Sequence, residues 1–173
     1  MPRTASQPAL ATAPSEEDLL HWELIELLFF AYRDFVGDPD RILERYGFGR
    51  AHHRVLHFVN RQPGLAIAAL LDILKITKQS LNRVLKELLD KGFVEQRPGL
   101  SDRRQRLLFA TARGHALATE LASLQARRIS RALREAGPEA GEGARGFLGA
   151  MIDPAERPGP ERLARSRAAG LPR

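Results

Sequence analysis

Between Ser15 and Ile152, apolar runs at helical spacing alternate with glycine and proline breakers. Ser15-Glu16-Glu17-Asp18 supplies an N-cap and an acidic first turn for a helix running to about Val36. Leu19, Leu20, Trp22, Leu24, Ile25, Leu27, Leu28, Phe29, Phe30, Tyr32 and Phe35 cover most of its circumference. That coverage is too wide for a helix with one wet face, and points to packing between two protein layers, as across a dimer. Gly47 and Gly49 separate a short helix (38–46) from another at 50–61, which Pro63-Gly64 ends. Helix-period segments follow at 66–73 and 77–91, and Gly92 stands where a left-handed cap is expected. Two β-like runs, 93–97 and 105–110, are joined by a charged turn from Pro98 to Arg104. Thr111 then caps a long helix to about Glu135, with Leu117, Leu121 and Leu124 on one stripe. A weaker, glycine-interrupted helix ends in Phe147, Leu148, Met151 and Ile152. The fold class expected is mainly α with a small β-hairpin wing.

Ala66–Lys91 is the most informative stretch. Its two helices are separated by Leu74-Lys75-Ile76, about the length of a helix-turn-helix turn. In the second helix Leu81, Val84, Leu85 and Leu88 follow the spacing of a core-facing stripe. The opposite face presents Gln79, Asn82, Arg83 and Lys86, with Thr77, Lys78 and Ser80 in the N-terminal turn. Amides, hydroxyls and cations on one exposed stripe are the groups that read base edges and hold phosphates in a major groove. Backbone N–H groups at the helix start add phosphate donors. Taken alone, this pattern also describes an ordinary amphipathic surface helix.

Charge sharpens the reading. The 173 residues carry 27 Lys+Arg against 21 Asp+Glu, a net of +6. Residues 1–48 hold 4 basic and 9 acidic side chains (−5), residues 49–106 hold 12 and 5 (+7), and residues 107–173 hold 11 and 7 (+4). Positive charge concentrated on one third argues for a localised nucleic-acid footprint. Within it, Arg97, Arg103, Arg104 and Arg106 cluster about the hairpin turn. An arginine at such a tip can enter a minor groove, and Asp102 among these arginines suits an orienting partner for one guanidinium. A helix-turn-helix followed at once by a basic wing makes double-stranded DNA the expected partner.

These residues resemble the MarR-type winged-helix transcriptional regulators over roughly residues 15–152. The likeness is densest where Thr77-Lys78-Gln79-Ser80, Arg83, Asp90-Lys91-Gly92-Phe93-Val94, Asp102-Arg103-Arg104 and Thr111-Ala112-Arg113-Gly114 match the family's pattern. The resemblance implies a winged helix-turn-helix at 62–113 and dimerisation helices at 15–46 and 112–152. It further implies a homodimer on a pseudo-palindromic operator, most often as a repressor, with Arg104 in the minor groove and Asp102 orienting it. Lys75 stands where the family's turn often has glycine. A left-handed backbone there costs a non-glycine residue roughly 1 kcal/mol, so a slightly reshaped turn is expected. A second departure is the glycine-rich final helix (Gly137, Gly141, Gly143, Gly146, Gly149).

The family usually couples DNA affinity to a bound signal. With no cysteine, thiol oxidation is excluded as a direct trigger. His52, His53 and His57 lie before the helix-turn-helix, and His53/His57 have the spacing of a metal-binding pair, which needs a third ligand such as His21, His115 or a carboxylate. Packing histidines are the favoured reading, and no metal or cofactor is expected. An anionic small-molecule effector fits better, with Trp22, Tyr32, His53, Arg54 and His57 as candidate wall and positive handle. A metal-responsive regulator and a winged helix used for protein–protein contacts remain alternative readings. No phosphate loop, nucleophile elbow or His-Glu-x-x-His run supports an enzyme. The ends, 1–14 and 153–173, are proline-rich and too poor in apolar residues to form a core, so both are expected to be disordered tails. Residues 1–14 lack a signal peptide's order of charge and apolar run, no stretch suits a membrane span, and a cytoplasmic protein is expected.

Overall fold

The computed structural model describes residues 15–99 and 104–159. Its elements run α1 (Glu16–Glu44), α2 (Arg50–Arg61), β1 (Leu65–Ala66), α3 (Ile67–Leu74), α4 (Lys78–Asp90), β2 (Val94–Pro98), β3 (Arg106–Ala110), α5 (Ala112–Ala136) and α6 (Ala140–Met151), then a 3₁₀ turn at Pro154–Glu156. The chain divides into two compact units after Asp34. Among the described residues no helix is long and apolar enough to cross a membrane.

In the first unit Ser15 caps α1: its hydroxyl accepts the Asp18 N–H at 3.1 Å, while the Asp18 carboxylate accepts the Ser15 N–H at 2.9 Å. The Ser15 O–H also donates to that carboxylate at 2.7 Å, and this bond first, then the Ser15 N–H, holds the Asp18 carboxyl below the ordinary carboxylate range. The wide apolar coverage of this helix is left open: Leu20, Trp22, Leu27, Phe29, Phe30 and Tyr32 are all more than half exposed.

The second unit holds the core. The break expected after Val36 and the separate helix at 38–46 are replaced by continued α1 through Gly37 and Pro39. Pro39 lacks one helical N–H, yet Val36, Pro39 and Leu43 recur on one helical face and are all buried. Packing of that face outweighs the lost bond. Leu43 joins Val55, Leu56 and Val59 of α2, Leu70 and Leu74 of α3, Leu81, Val84, Leu85 and Leu88 of α4, and Leu117 and Leu121 of α5 in one cluster. The sheet has three antiparallel strands in the order β1-β3-β2, with Leu65 opposite Leu108 and Val94 opposite Ala110. The two hairpin strands lie within a residue of expectation, whereas the two-residue β1 is an addition.

Two junctions fix this unit's geometry. After α4, Gly92 is left-handed (φ 72°). The Phe93 N–H reaches the Leu88 carbonyl at 2.9 Å and the Gly92 N–H reaches Leu89 at 3.0 Å, closing the helix and turning the chain into β2. At the start of α5 the Thr111 hydroxyl donates to the Gly92 carbonyl at 2.7 Å and accepts the Gly114 N–H at 3.1 Å. A Cβ on Gly114 would stand 1.9 Å from the Phe93 carbonyl oxygen, so only glycine lets α5 approach the head of β2. The Thr-x-x-Gly spacing thus has a steric cause.

The C-terminal segment departs from expectation at its start. Residues 153–159, read from composition as unstructured, hold the 3₁₀ turn, and Arg157 folds back onto the Ile152 and Ala150 carbonyls at 3.2 and 3.4 Å. Residues 1–14 and 160–173 lie outside the described residues.

Candidate nucleic-acid interface

The turn between α3 and α4 decides where α4 points. Lys75 takes the left-handed conformation (φ 49°, ψ 46°) that a glycine would adopt without steric cost. The expected reshaping does not occur: the backbone geometry stays and the lysine bears it. Its N–H donates to Leu71 at 2.9 Å, and its ammonium pairs with Asp72 at 2.9 Å and Glu156 at 3.0 Å. Those bonds, Asp72 first, hold the ammonium pKa above the ordinary lysine value. Arg54 donates to the Leu74 carbonyl at 3.0 Å and satisfies the end of α3.

Thr77 then caps α4: its hydroxyl oxygen accepts the Ser80 N–H at 3.2 Å, and its O–H donates to the Ser80 hydroxyl at 2.9 Å. Leu81, Val84, Leu85 and Leu88 are buried as their spacing demands. Lys78, Gln79, Asn82, Arg83 and Lys86 therefore emerge on the exposed face, with the capping pair at its N-terminal end. Lys86 is tied to Asp90 one turn on, which holds its pKa above the ordinary value. Thr77 and Ser80 are thus engaged in capping, and Lys86 in an ion pair within its own helix.

The far end of α4 is clamped. The Gly49 N–H donates to His52 Nδ1 at 3.1 Å, so the ring proton sits on Nε2 and donates to Glu87 of α4 at 3.0 Å. The same ring stacks on Phe48 at 4.6 Å, and Phe93 meets Phe48 and Tyr46 edge-on at 5.1 and 5.3 Å. Lys91 donates to the Tyr46 carbonyl at 2.6 Å with its ammonium 4.8 Å above the Phe48 ring. Arg113 donates to the Lys91 carbonyl at 2.9 Å and lies 4.2 Å over Phe93. No sequence signal links His52 to a glutamate 35 positions away. Arg113 was within reach of sequence reasoning, because it sits inside the Thr-x-x-Gly run.

In the wing, the Gly99 N–H bonds the Gln105 carbonyl at 2.9 Å and closes the turn. Arg104 is exposed just before β3. Arg97 belongs to the wing's base, paired with Glu95 and 4.6 Å over the Phe109 ring. Asp102 and Arg103 lie outside the described residues.

The histidines do not converge. His52 is engaged with Glu87, and His115 Nδ1 lies 2.8 Å from the Asn60 side-chain oxygen. Burial holds His53 and His57 below the ordinary imidazole range; His57 adds to the effect at His53 against an opposing Asp40, and Arg61 adds to it at His57. Among the described residues no three His, Cys, Asp or Glu side chains gather as a metal set. Trp22 and Tyr32 are exposed on the first unit, whereas His53, Arg54 and His57 belong to the second. A groove of about 670 Å³ in the second unit is lined by none of these five residues; Arg127, Arg128, Arg131 and Arg134 of α5 line it, with Asp38 bonded to Arg128 at 2.9 Å. That bond, first among the causes, lowers the Asp38 pKa.

Three comparisons agree with this architecture. The sequence model of the MarR family matches residues 46–105, from just after α1 to the wing turn before β3. The chain is 53% identical over 133 residues to the HTH-type transcriptional regulator PetP of Rhodobacter capsulatus, covering 77% of this chain and 80% of that protein. Among solved structures, a MarR family transcription regulator superposes with a TM-score of 0.65 at 17% identity, over 90% of this chain and 97% of its own. MepR of S. aureus in its complex with DNA gives 0.59 at 18% identity, over 73% and 93%. At such identities the structures speak for the fold, and the relative at 53% carries the family. The chain belongs to the MarR family of winged-helix transcriptional regulators.

Proposed function

We propose that the chain is a homodimeric repressor that binds a pseudo-palindromic operator in double-stranded DNA. The observation that carries this reading is the two-faced α4, with a fully buried leucine and valine stripe under exposed Gln79, Asn82 and Arg83. Gln79 and Asn82 read base edges in the major groove, while Lys78, Arg83 and Lys86 meet phosphates, as do the hydroxyls of Thr77 and Ser80 beside the helix N-terminus. Arg104, oriented by Asp102, enters the adjacent minor groove, and Arg97 and Arg103 add positive charge there. A second copy covers the open apolar surface of α1 and of Phe147, Leu148 and Met151 on α6, all more than half exposed. Two-fold symmetry then spaces the half-sites by about one helical turn, roughly 34 Å. The effector is a small anion; the arginine-lined groove on α5 offers stronger positive handles than Arg54, which already serves the Leu74 carbonyl.

Binding to the chain's own upstream DNA, followed by anisotropy, tests the reading. Arg104→Ala is expected to lower operator affinity with an unchanged melting temperature, since an exposed side chain packs no core. Gln79→Ala is expected to relax preference at one base position by about 1–3 kcal/mol. Equal loss on every sequence would leave Gln79 a phosphate contact, and operator binding unaffected by both changes would remove α4 and the wing from the interface.

A further inference from the structure

The turn between α3 and α4 carries a charge arrangement that its own geometry does not require. Lys75 stands in the left-handed region, which a glycine would occupy without steric cost, so the backbone gives no reason for a lysine there. What the residue adds is an ammonium, half exposed, two positions before the Thr77 cap of α4. The first turn of α4 holds no acid and opens with Lys78, which leaves the positive end of the helix to an anion. The Lys75 ammonium is nevertheless held between two carboxylates, Asp72 at 2.9 Å and Glu156 at 3.0 Å. Asp72 sits three positions back, a local pair of the ordinary kind. Glu156 comes from the far end of the described residues, and an ordered turn brings it. Its N–H donates to the Asp153 carbonyl at 2.8 Å, and Arg157 beside it donates to the Ile152 and Ala150 carbonyls at 3.2 and 3.4 Å.

We propose that Lys75 is a further phosphate-binding residue of the DNA-contacting face, and that Glu156 competes with the DNA for its ammonium. The inference rests on the DNA-binding reading above. Carboxylate and phosphate oxygens make the same charge-assisted bond to an ammonium, so one can replace the other. The exchange costs little, because a pair between half-exposed side chains contributes little to stability. A lysine that neutralises a phosphate also releases condensed counterions from the duplex, a gain that a lone carboxylate does not offer. Once the exchange is made, the Glu156 carboxylate is left unpaired beside the duplex and is repelled by it. The C-terminal turn thus acts as a brake on DNA binding, applied through one ammonium.

The test uses the full chain as wild type, Glu156→Gln, Lys75→Gln and the double variant. Log affinity is measured against log salt concentration on operator and on scrambled duplex. Glu156→Gln is expected to raise affinity about three- to tenfold over two protomers, similarly on both DNAs, since phosphate contacts carry no sequence information. Lys75→Gln is expected to lower it by a similar factor and to make the slope shallower by about 1 per protomer. Added to Lys75→Gln, the Glu156 change should yield a smaller gain than it does in the wild type. Melting temperatures should not move, because both side chains are half exposed. An unchanged slope in Lys75→Gln, or no gain in Glu156→Gln, would overturn the proposal. So would a gain undiminished without Lys75, which would make Glu156 a general repulsive charge and no competitor. Failure of the wild-type chain to prefer operator over scrambled DNA would instead strike the operator reading, and the Lys75 and Glu156 effects would still be measurable on either duplex.

Discussion

In the head, the part of the second unit built from α2 to α5 and the sheet, Leu70, Leu81, Leu88 and Leu108 are fully buried, whereas in residues 15–34 Trp22, Phe29, Phe30 and Tyr32 are more than half exposed. Both stretches are rich in large apolar residues, so hydrophobic content does not separate them; what separates them is whether one chain supplies the covering layer. The head closes on itself because α2 packs against α3, α4 and α5, and β3 against β1 and β2. The N-terminal helix is apolar around most of its girth, and a single helix cannot bury all of that surface against its own protomer. A core closed within one chain and a helix left open are what the proposed homodimer requires. The two regions should therefore fail differently when disturbed.

The largest effect is expected from Gly114→Ala. The added Cβ, 1.9 Å from the Phe93 carbonyl oxygen, forces α5 away from β2 and opens the Thr111 cap. A loss of about 3 kcal/mol or more is expected, read as a lower melting temperature and loss of near-UV circular dichroism. A variant as stable as the wild type would mean that the head tolerates a shifted α5, and its closure would be looser than the contrast with α1 requires.

Phe29→Glu should act on the other side of the comparison. Phe29 is 66% exposed in the single chain, so the substitution disturbs no core. If a second copy covers it, each protomer loses about 2 kcal/mol of apolar burial and gains a charge at the contact. Sedimentation should then shift toward monomer and operator affinity fall, with the monomer's helical content retained. An unchanged sedimentation coefficient would leave the open face without this partner.

The parts of this fold that were legible in the sequence are those written locally. Leu81, Val84, Leu85 and Leu88 announce the buried face of α4 by spacing alone, and Gly92 announces the turn that ends it. Thr111 and Gly114 could be matched as a pattern, but their reason, the Phe93 carbonyl in contact distance, exists only in three dimensions. Local reading failed where tertiary packing overrode a breaker: Gly37 and Pro39 suggest a helix end, yet burial of Val36, Pro39 and Leu43 keeps α1 going. It also failed at Lys75, where the turn's geometry prevailed over the residue's own preference. The exposed stripe on α4 was legible, while the clamp behind it was not, because His52 and Glu87 are brought together only by the packing of α2 on α4.

The smallest effect lies in pH and tests whether the head's closure extends to its polar rim. Burial holds His53 and His57 on α2 below the ordinary imidazole pKa; the His57 charge adds to this at His53, where Asp40 opposes it, and Arg61 adds to it at His57. The unfolded chain therefore takes up protons at these rings before the folded one does. Above the unfolded value of about 6.5 both states are neutral there, and the contribution to stability is fully present. As the pH falls through that value toward the lower folded ones, the unfolded state gains and the head loses stability. His53→Gln with His57→Gln should flatten the urea-midpoint profile as the pH falls below about 6.5 while leaving the loss at carboxylate pH values, where Asp38 gives up its bond to Arg128. An unaltered profile would mean that water reaches both rings freely, and the closed head would then end at the leucines of α2 rather than at its histidines.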